Sequence, residues 1–221
     1  MRQRYSWDEL IPVEEAHTAA KFLATTWNLV TNLYSDDFQY KRHEPKLTER
    51  LHYYLIRFKA KSGLTGFWVN EGQESYVERN GSFKKIRKDI TYCSNISMRL
   101  ELIFEFKKVS KSTLATYRGN QGMRRFIDGN YAPHIPLAVM VGIMLKNGSK
   151  DVIQALYSSL SKIKVRSQLQ MVSDTSGRYI RRPSEALQAI AEFDTEHIRP
   201  PEKAPPNGTT TIAHIFLFCN K

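Results

Sequence analysis

The sequence predicts an α/β domain with a mixed central β-sheet flanked by helices. Three observations carry that expectation. Apolar residues recur at helical spacing from about Val13 to Tyr34. The middle of the chain carries short β-branched or aromatic runs separated by turn residues such as Asn80-Gly81. The segment Leu137 to Leu145 (LAVMVGIML) is apolar almost without a break, as in a strand buried on both faces, although its length also suits a short buried helix.

Taken in order, the first helix carries Ala16, Ala19, Ala20, Leu23, Trp27 and Val30, and Asp36-Asp37 break it. A second starts after His43-Glu44-Pro45, because proline is tolerated in a first helical turn. It ends near Ser62-Gly63, a C-terminal stop signal. Strands are expected at Gly66–Val69, Ser75–Glu78, Ile86–Cys93 and, most clearly, Met98–Val109. Residues Lys111 to about Arg125 read as helical despite Gly119 and Gly122, and Asp151 to Ile163 reads as an amphipathic helix. The proline-rich run 199–208 is a loop, and Ile212 to Cys219 a late buried strand that must pair with the main sheet. The expected organisation is a single domain: an N-terminal helical extension at 1–43, a core at 44–165, and a C-terminal extension at 166–221 that returns a core strand.

At 221 residues such a domain folds without disulfide or metal staples. The cysteines, Cys93 and Cys219, form no CxxC pair, which excludes a zinc site of the usual spacing. No run of about 18 apolar residues occurs, and the start of the chain lacks the apolar stretch of a secretory signal. The expectation is a cytoplasmic protein with no membrane partner. Charge points to the partner: 33 Lys and Arg against 22 Asp and Glu give a net charge of +11, which suits a polyanion, nucleic acid first. The GxxxxGK[ST], GxGxxG and GxSxG patterns are absent, which argues against nucleotide-driven motors, dinucleotide enzymes and serine hydrolases. The six histidines form no metal-binding pattern, and His214, inside an apolar run, reads as a core residue.

One strand carries the chemistry. In Leu100-Glu101-Leu102-Ile103-Phe104-Glu105-Phe106-Lys107, side chains alternate. Leu100, Leu102, Phe104 and Phe106 form a core face, and Glu105 and Lys107 project side by side from the other. A carboxylate can ligate a hard cation such as Mg²⁺, and a neighbouring ammonium can orient water or stabilise developing phosphorane charge. Asp89 lies 16 positions earlier, read as within a strand, and that gap suits a hairpin placing two carboxylates together.

Asp89-Ile90, a spacer, and an apolar strand ending Glu105-Phe106-Lys107 resemble the PD-(D/E)xK motif of the restriction-endonuclease-like nucleases. The likeness covers roughly residues 44 to 165, with Lys88 where the motif's proline would stand. The resemblance implies a restriction-endonuclease-like core and an endonuclease acting on DNA with Mg²⁺, or Mn²⁺ in its place. It implies Asp89 and Glu105 as metal ligands and Lys107 as the residue acting on water. It further implies an acidic residue on the preceding helix, Glu44 or Glu49, and a glutamine after the strand, for which Gln121 stands in position. Restriction, repair or antiviral defence is the implied setting, with a protein partner or homodimer in play.

Basic groups surround these acids: Lys84, Lys85, Arg87 and Lys88, then Lys107 and Lys108, then Arg118, Arg124 and Arg125. They are the expected nucleic-acid contacts. Arg178, Arg181 and Arg182 extend that surface, and the run Asp194 to Arg199 is a secondary candidate for a phosphate or metal contact. RNA in place of DNA stays open. The rival reading is a non-catalytic nucleic-acid-binding subunit of a larger complex. A further one, an interaction protein for an acidic partner, predicts no nucleic-acid binding at all.

Overall fold

In this computed structural model, residues 7–77, 83–97 and 100–219 are described, without the side chains of residues 7, 73–77 and 83–87. The elements are α1 (Val13–Leu33), α2 (Glu44–Phe58), β1 (Phe67–Asn70), β2 (Gln73–Val77), β3 (Phe83–Arg87), β4 (Ile90–Cys93) and β5 (Glu101–Lys108). There follow α3 (Leu114–Arg118), α4 (Met123–Ile127), β6 (Leu137–Leu145), α5 (Ser149–Leu160), α6 (Ile163–Gln168), β7 (Met171–Val172), β8 (Ile180–Arg181), β9 (Phe193–Ile198) and β10 (Thr209–Cys219). The large sheet runs β1-β4-β5-β6-β10-β9-β7, with β8 also paired to β9, and β2-β3 form a separate two-stranded sheet. The central pairs β5–β6 and β6–β10 are parallel; the outer pairs are antiparallel. The chain is therefore α/β with a mixed sheet flanked by helices.

The apolar runs are explained by burial on both faces. Alternate residues of β6 (Leu137, Val139, Val141, Ile143) pack into one core with Leu23 and Trp27 of α1, Leu47 and Leu51 of α2, and Ala213 and Ile215 of β10. The intervening Ala138, Met140 and Met144 pack into a second core with Tyr117, Phe126, Leu156 and Leu160 from α3, α4 and α5. Helices thus cover both sides, and strands between them need no polar face. Gly142 interrupts the pattern because a Cβ there would lie 2.6 Å from the Phe216 ring. The two ends of the chain share one core, and the Trp27 indole donates to the Phe218 carbonyl of β10 at 2.9 Å.

Several elements differ from expectation. The run Ile86–Cys93 is broken at Lys88-Asp89, so Asp89 occupies the gap between β3 and β4. The helix expected at Lys111–Arg125 is two five-residue helices, because the chain turns at Gly119–Gly122. At Gly122 the approach is so close that a Cβ would sit 2.0 Å from the Tyr117 carbonyl oxygen. The Asp151–Ile163 helix ends at Leu160, leaving Ile163 exposed on α6. Strand β9, with Asp194, Thr195, Glu196 and His197, carries too many polar residues to read as a buried strand, yet is one.

Candidate active site

Four of the singled-out side chains meet at the carboxyl end of β5. Strand β4 runs antiparallel to β5 with Ile90 opposite Phe104, which brings Asp89 to the level of Glu105. The Asp89 carboxylate accepts the Phe106 backbone N–H at 2.8 Å, fixing it there. Glu44 opens α2, where a negative charge suits the helix N-terminus. Its carboxylate accepts the Lys108 backbone N–H at 2.9 Å and the Lys107 ammonium at 3.0 Å. Lys107 also lies 2.8 Å from Glu105 and 3.9 Å from Asp89. One ammonium thus sits among three carboxylates at the carboxyl end of a central strand, the end at which open α/β sheets bind ligands.

Burial sets the electrostatics. Glu105 is fully buried, and among the described residues its Oε2 has no hydrogen-bond partner. Burial pushes its carboxyl up to about 8, with the Asp89 charge pushing the same way; Lys107 and Arg125 pull the other way without offsetting it. Burial likewise raises the Asp89 carboxyl, against the pull of Lys107. Burial disfavours the Lys107 ammonium, but Glu105, Glu44 and Asp89 outweigh that, and it stays protonated. Glu44 and Asp89 keep 24% and 19% side-chain exposure, so the cluster reaches solvent.

The other candidates divide. Glu49 lies five residues after Glu44, about 140° around the helix, and is exposed away from the cluster. Gln121 is exposed in the turn between α3 and α4, with no bond to the cluster among the described residues. Arg125 occupies the position expected of it: its guanidinium donates to Glu105 Oε1 at 2.9 Å and to the Tyr131 hydroxyl, and lies 4.8 Å over the Tyr131 ring. Sequence reading grouped Arg125 with the nucleic-acid contacts, since no spacing rule ties a residue on a second short helix to the strand. Lys88 is buried against Glu101 at 2.5 Å instead of lying on a binding surface. Lys108 donates to the Tyr40 carbonyl and lies over its ring at 4.7 Å. Arg118 bonds to the Leu114 carbonyl, and Arg124 pairs with Asp128 at 3.2 Å. The side chains of Lys84, Lys85 and Arg87 lie outside the described residues.

The secondary candidates are structural. Asp194 is buried and accepts from the Ser184 hydroxyl at 2.5 Å and from the backbone N–H groups of Glu185 and Ala186. Arg178 pairs with Asp174 and Glu185, Arg181 with Glu196, and Arg182 with Glu192. His197 is bonded to the Leu169 carbonyl and Thr195, and His214 to Thr195 and Tyr117. Tyr117 itself is buried in the core.

Those histidines make the fold acid-labile. Burial lowers His197 to about 4 and lowers His214 too. An unfolded histidine takes its proton near pH 6.5. Their contribution to stability is therefore present above pH 6.5 and lost as pH falls toward 4. Melting temperature is expected to drop through that window, and less in a His197→Gln variant; equal pH profiles would reject the assignment.

Among the described residues, no three His, Cys, Asp or Glu side chains stand ready around a vacant centre, since Lys107 is at the middle of the carboxylates. The donor set nevertheless fits a hard divalent cation: oxygen ligands only, one of them a buried carboxylate oxygen without a partner. Comparison with protein-family models, curated proteins and solved structures gives no match.

Proposed function

We propose that this chain is a metal-dependent endonuclease with a restriction-endonuclease-like core, hydrolysing phosphodiester bonds of DNA. One observation carries the reading. Fully buried Glu105 sits beside Lys107, Asp89 and Glu44 at the end of a central strand, and its Oε2 has no partner. A surface ion pair would be solvated and cheap to maintain; a buried carboxylate held at high pKa among specific charged partners is of the kind found at working sites.

In this reading Glu44, Asp89 and Glu105 would hold Mg²⁺ or Mn²⁺, which would neutralise charge on the phosphate and lower the pKa of a bound water. Hydrolysis forms a bond from a water oxygen to phosphorus, breaks one P–O ester bond, and leaves a hydroxyl and a phosphate monoester. Lys107, held protonated, donates hydrogen bonds: it orients the water and opposes the negative charge that grows on the phosphoryl oxygens. Asp89 is kept in register by the Phe106 N–H and Glu44 by the Lys108 N–H, so two carboxylates are positioned by β5's own backbone. The net charge of +11 supports a nucleic-acid substrate. Within this reading, restriction or antiviral defence is the biological setting.

The test is cleavage of plasmid and single-stranded DNA and of RNA with Mg²⁺, Mn²⁺ or EDTA. The wild-type protein is expected to cut DNA with either metal and not in EDTA. Asp89→Ala should lower the rate by about 100-fold or more, and Glu49→Ala should cut as wild type. Cutting that survives Asp89→Ala rejects the site. Salt-sensitive binding without cutting, equal in all three proteins, selects the non-catalytic binding subunit instead.

A further inference from the structure

Two cations converge on one oxygen of Glu105. Lys107 lies 2.8 Å and Arg125 2.9 Å from Oε1, while Oε2 has no hydrogen-bond partner among the described residues. Two such partners are more than holding Lys107 in place requires. With its three carboxyls ionised, as cation binding requires, the cluster has two positive side chains and is left with one negative charge. A divalent cation would turn that into one positive charge, and a phosphodiester group would bring it to zero. Without Arg125 the same complete assembly would be one charge short.

Arg125 is also placed to move. Its side chain is 32% exposed, unlike Glu105 at 0%. It stands on α4, a five-residue helix of the second core, and rests against the Tyr131 hydroxyl and ring as well as Glu105. The Tyr131 carbonyl in turn accepts from buried Arg199 at 3.5 Å, and Arg199 also donates to the Ala132 carbonyl at 2.5 Å. Tyr131 is thus a fixed rest for the guanidinium when Glu105 no longer holds it. A guanidinium is suited to a phosphate because its fork matches two oxygens.

We infer that Arg125 is a phosphate-binding residue kept in reserve: it occupies Glu105 in the metal-free protein and is released to a substrate phosphate when a divalent cation takes the carboxylate. This rests on the nuclease reading above and adds a role to it. It requires opposite effects from one substitution. Arg125→Ala removes a competitor for Glu105, so Mn²⁺ should bind the metal-free protein about tenfold more tightly by titration calorimetry. The same variant lacks a phosphate partner, so its KM for a labelled DNA duplex in Mn²⁺ should rise about tenfold. Arg125→Gln, which keeps hydrogen-bonding capacity without charge, should match Ala in Mn²⁺ affinity, and thermal melting reports whether each variant is folded. Mn²⁺ affinity unchanged or weakened in both folded variants overturns the proposal, because Arg125 would then merely shape Glu105. An unchanged KM overturns it equally. Failure of the wild-type protein to bind Mn²⁺ at all takes down the nuclease reading itself, a result distinct from either.

Discussion

Glu105→Gln is expected to lower the proposed DNA cleavage about a thousandfold and, in the absence of metal, to make the protein more stable above pH 8. The carboxyl is fully buried and pushed up to about 8. In the unfolded chain it ionises near 4.5. A raised folded value means that its contribution to stability is complete below pH 4.5 and is lost as pH rises through 8. The loss is on the order of a few kcal/mol, since a tenfold change in an ionisation constant is worth about 1.4 kcal/mol. The amide variant has nothing to ionise and escapes that loss. Between pH 6.5 and 9 the buried histidines no longer titrate, so melting in EDTA isolates the Glu105 effect there. Mg²⁺ should reverse the wild-type decline and leave the variant unchanged. Cleavage is expected to fall by about a thousandfold, the scale of losing a principal charged group of a site. A variant that melts with the same alkaline decline as wild type would show that Glu105 is not the costly group.

Lys107→Met removes the cation that three carboxylates share. Its ammonium is 12% exposed and lies 2.8, 3.0 and 3.9 Å from Glu105, Glu44 and Asp89. Where Glu105 is ionised, above about pH 8, taking away one partner of a buried pair costs about 3–5 kcal/mol, because the remaining charge stays buried. Arg125 still neutralises part of Glu105, so the lower end of that range is expected. Millimolar Mg²⁺ should restore most of the lost stability, because a cation at the carboxylates replaces the missing charge. Cleavage should nevertheless fall about 100- to 1000-fold, since the donor that orients the water and opposes the growing phosphoryl charge beside Glu105 is then gone. Stability recovered by Mg²⁺ with cleavage still absent separates the chemical role of Lys107 from its structural one. Cleavage at the wild-type rate would remove Lys107 from the mechanism.

The parts of this arrangement legible in the sequence are those with a period. Alternation along β5 and the 16-residue gap back to Asp89 place two strands side by side, and β4–β5 pairing has that geometry. Two-sided burial of β6 follows from its unbroken apolar run. The choice between Glu44 and Glu49 is open in the sequence, because nothing local says which face of α2 meets β5; in the structure the Lys108 N–H holds Glu44 against β5. Periodicity fails where backbone geometry overrides it. Lys88-Asp89 breaks an alternating run, and Gly119–Gly122 splits a helix and so turns Arg125 rather than Gln121 toward Glu105. Strand β9 is hidden because its polar residues are satisfied by remote partners, Asp194 by the turn at Ser184–Ala186 and His197 by Leu169.

The place of β10 has a consequence for when the cluster can exist. This strand is the last element described, yet it lies between β6 and β9, and β6 is the strand on which β5 leans. It also completes the core that holds α1 and α2, through Trp27 to Phe218 and the residues Ala213, Ile215 and Leu217. Such long-range pairing forms late, since its loop-closure entropy must be met before the contacts contribute. During synthesis, α2 with Glu44 and the β4–β5 pair leave the ribosome long before Thr209–Cys219 do. Until then β6 has an open edge, and the core beneath α1 and α2 lacks Ala213, Ile215 and Leu217. A nascent chain therefore has all the acidic residues in order before the core that backs them is complete, and under the proposed function full cleavage activity is expected only once synthesis has passed Cys219.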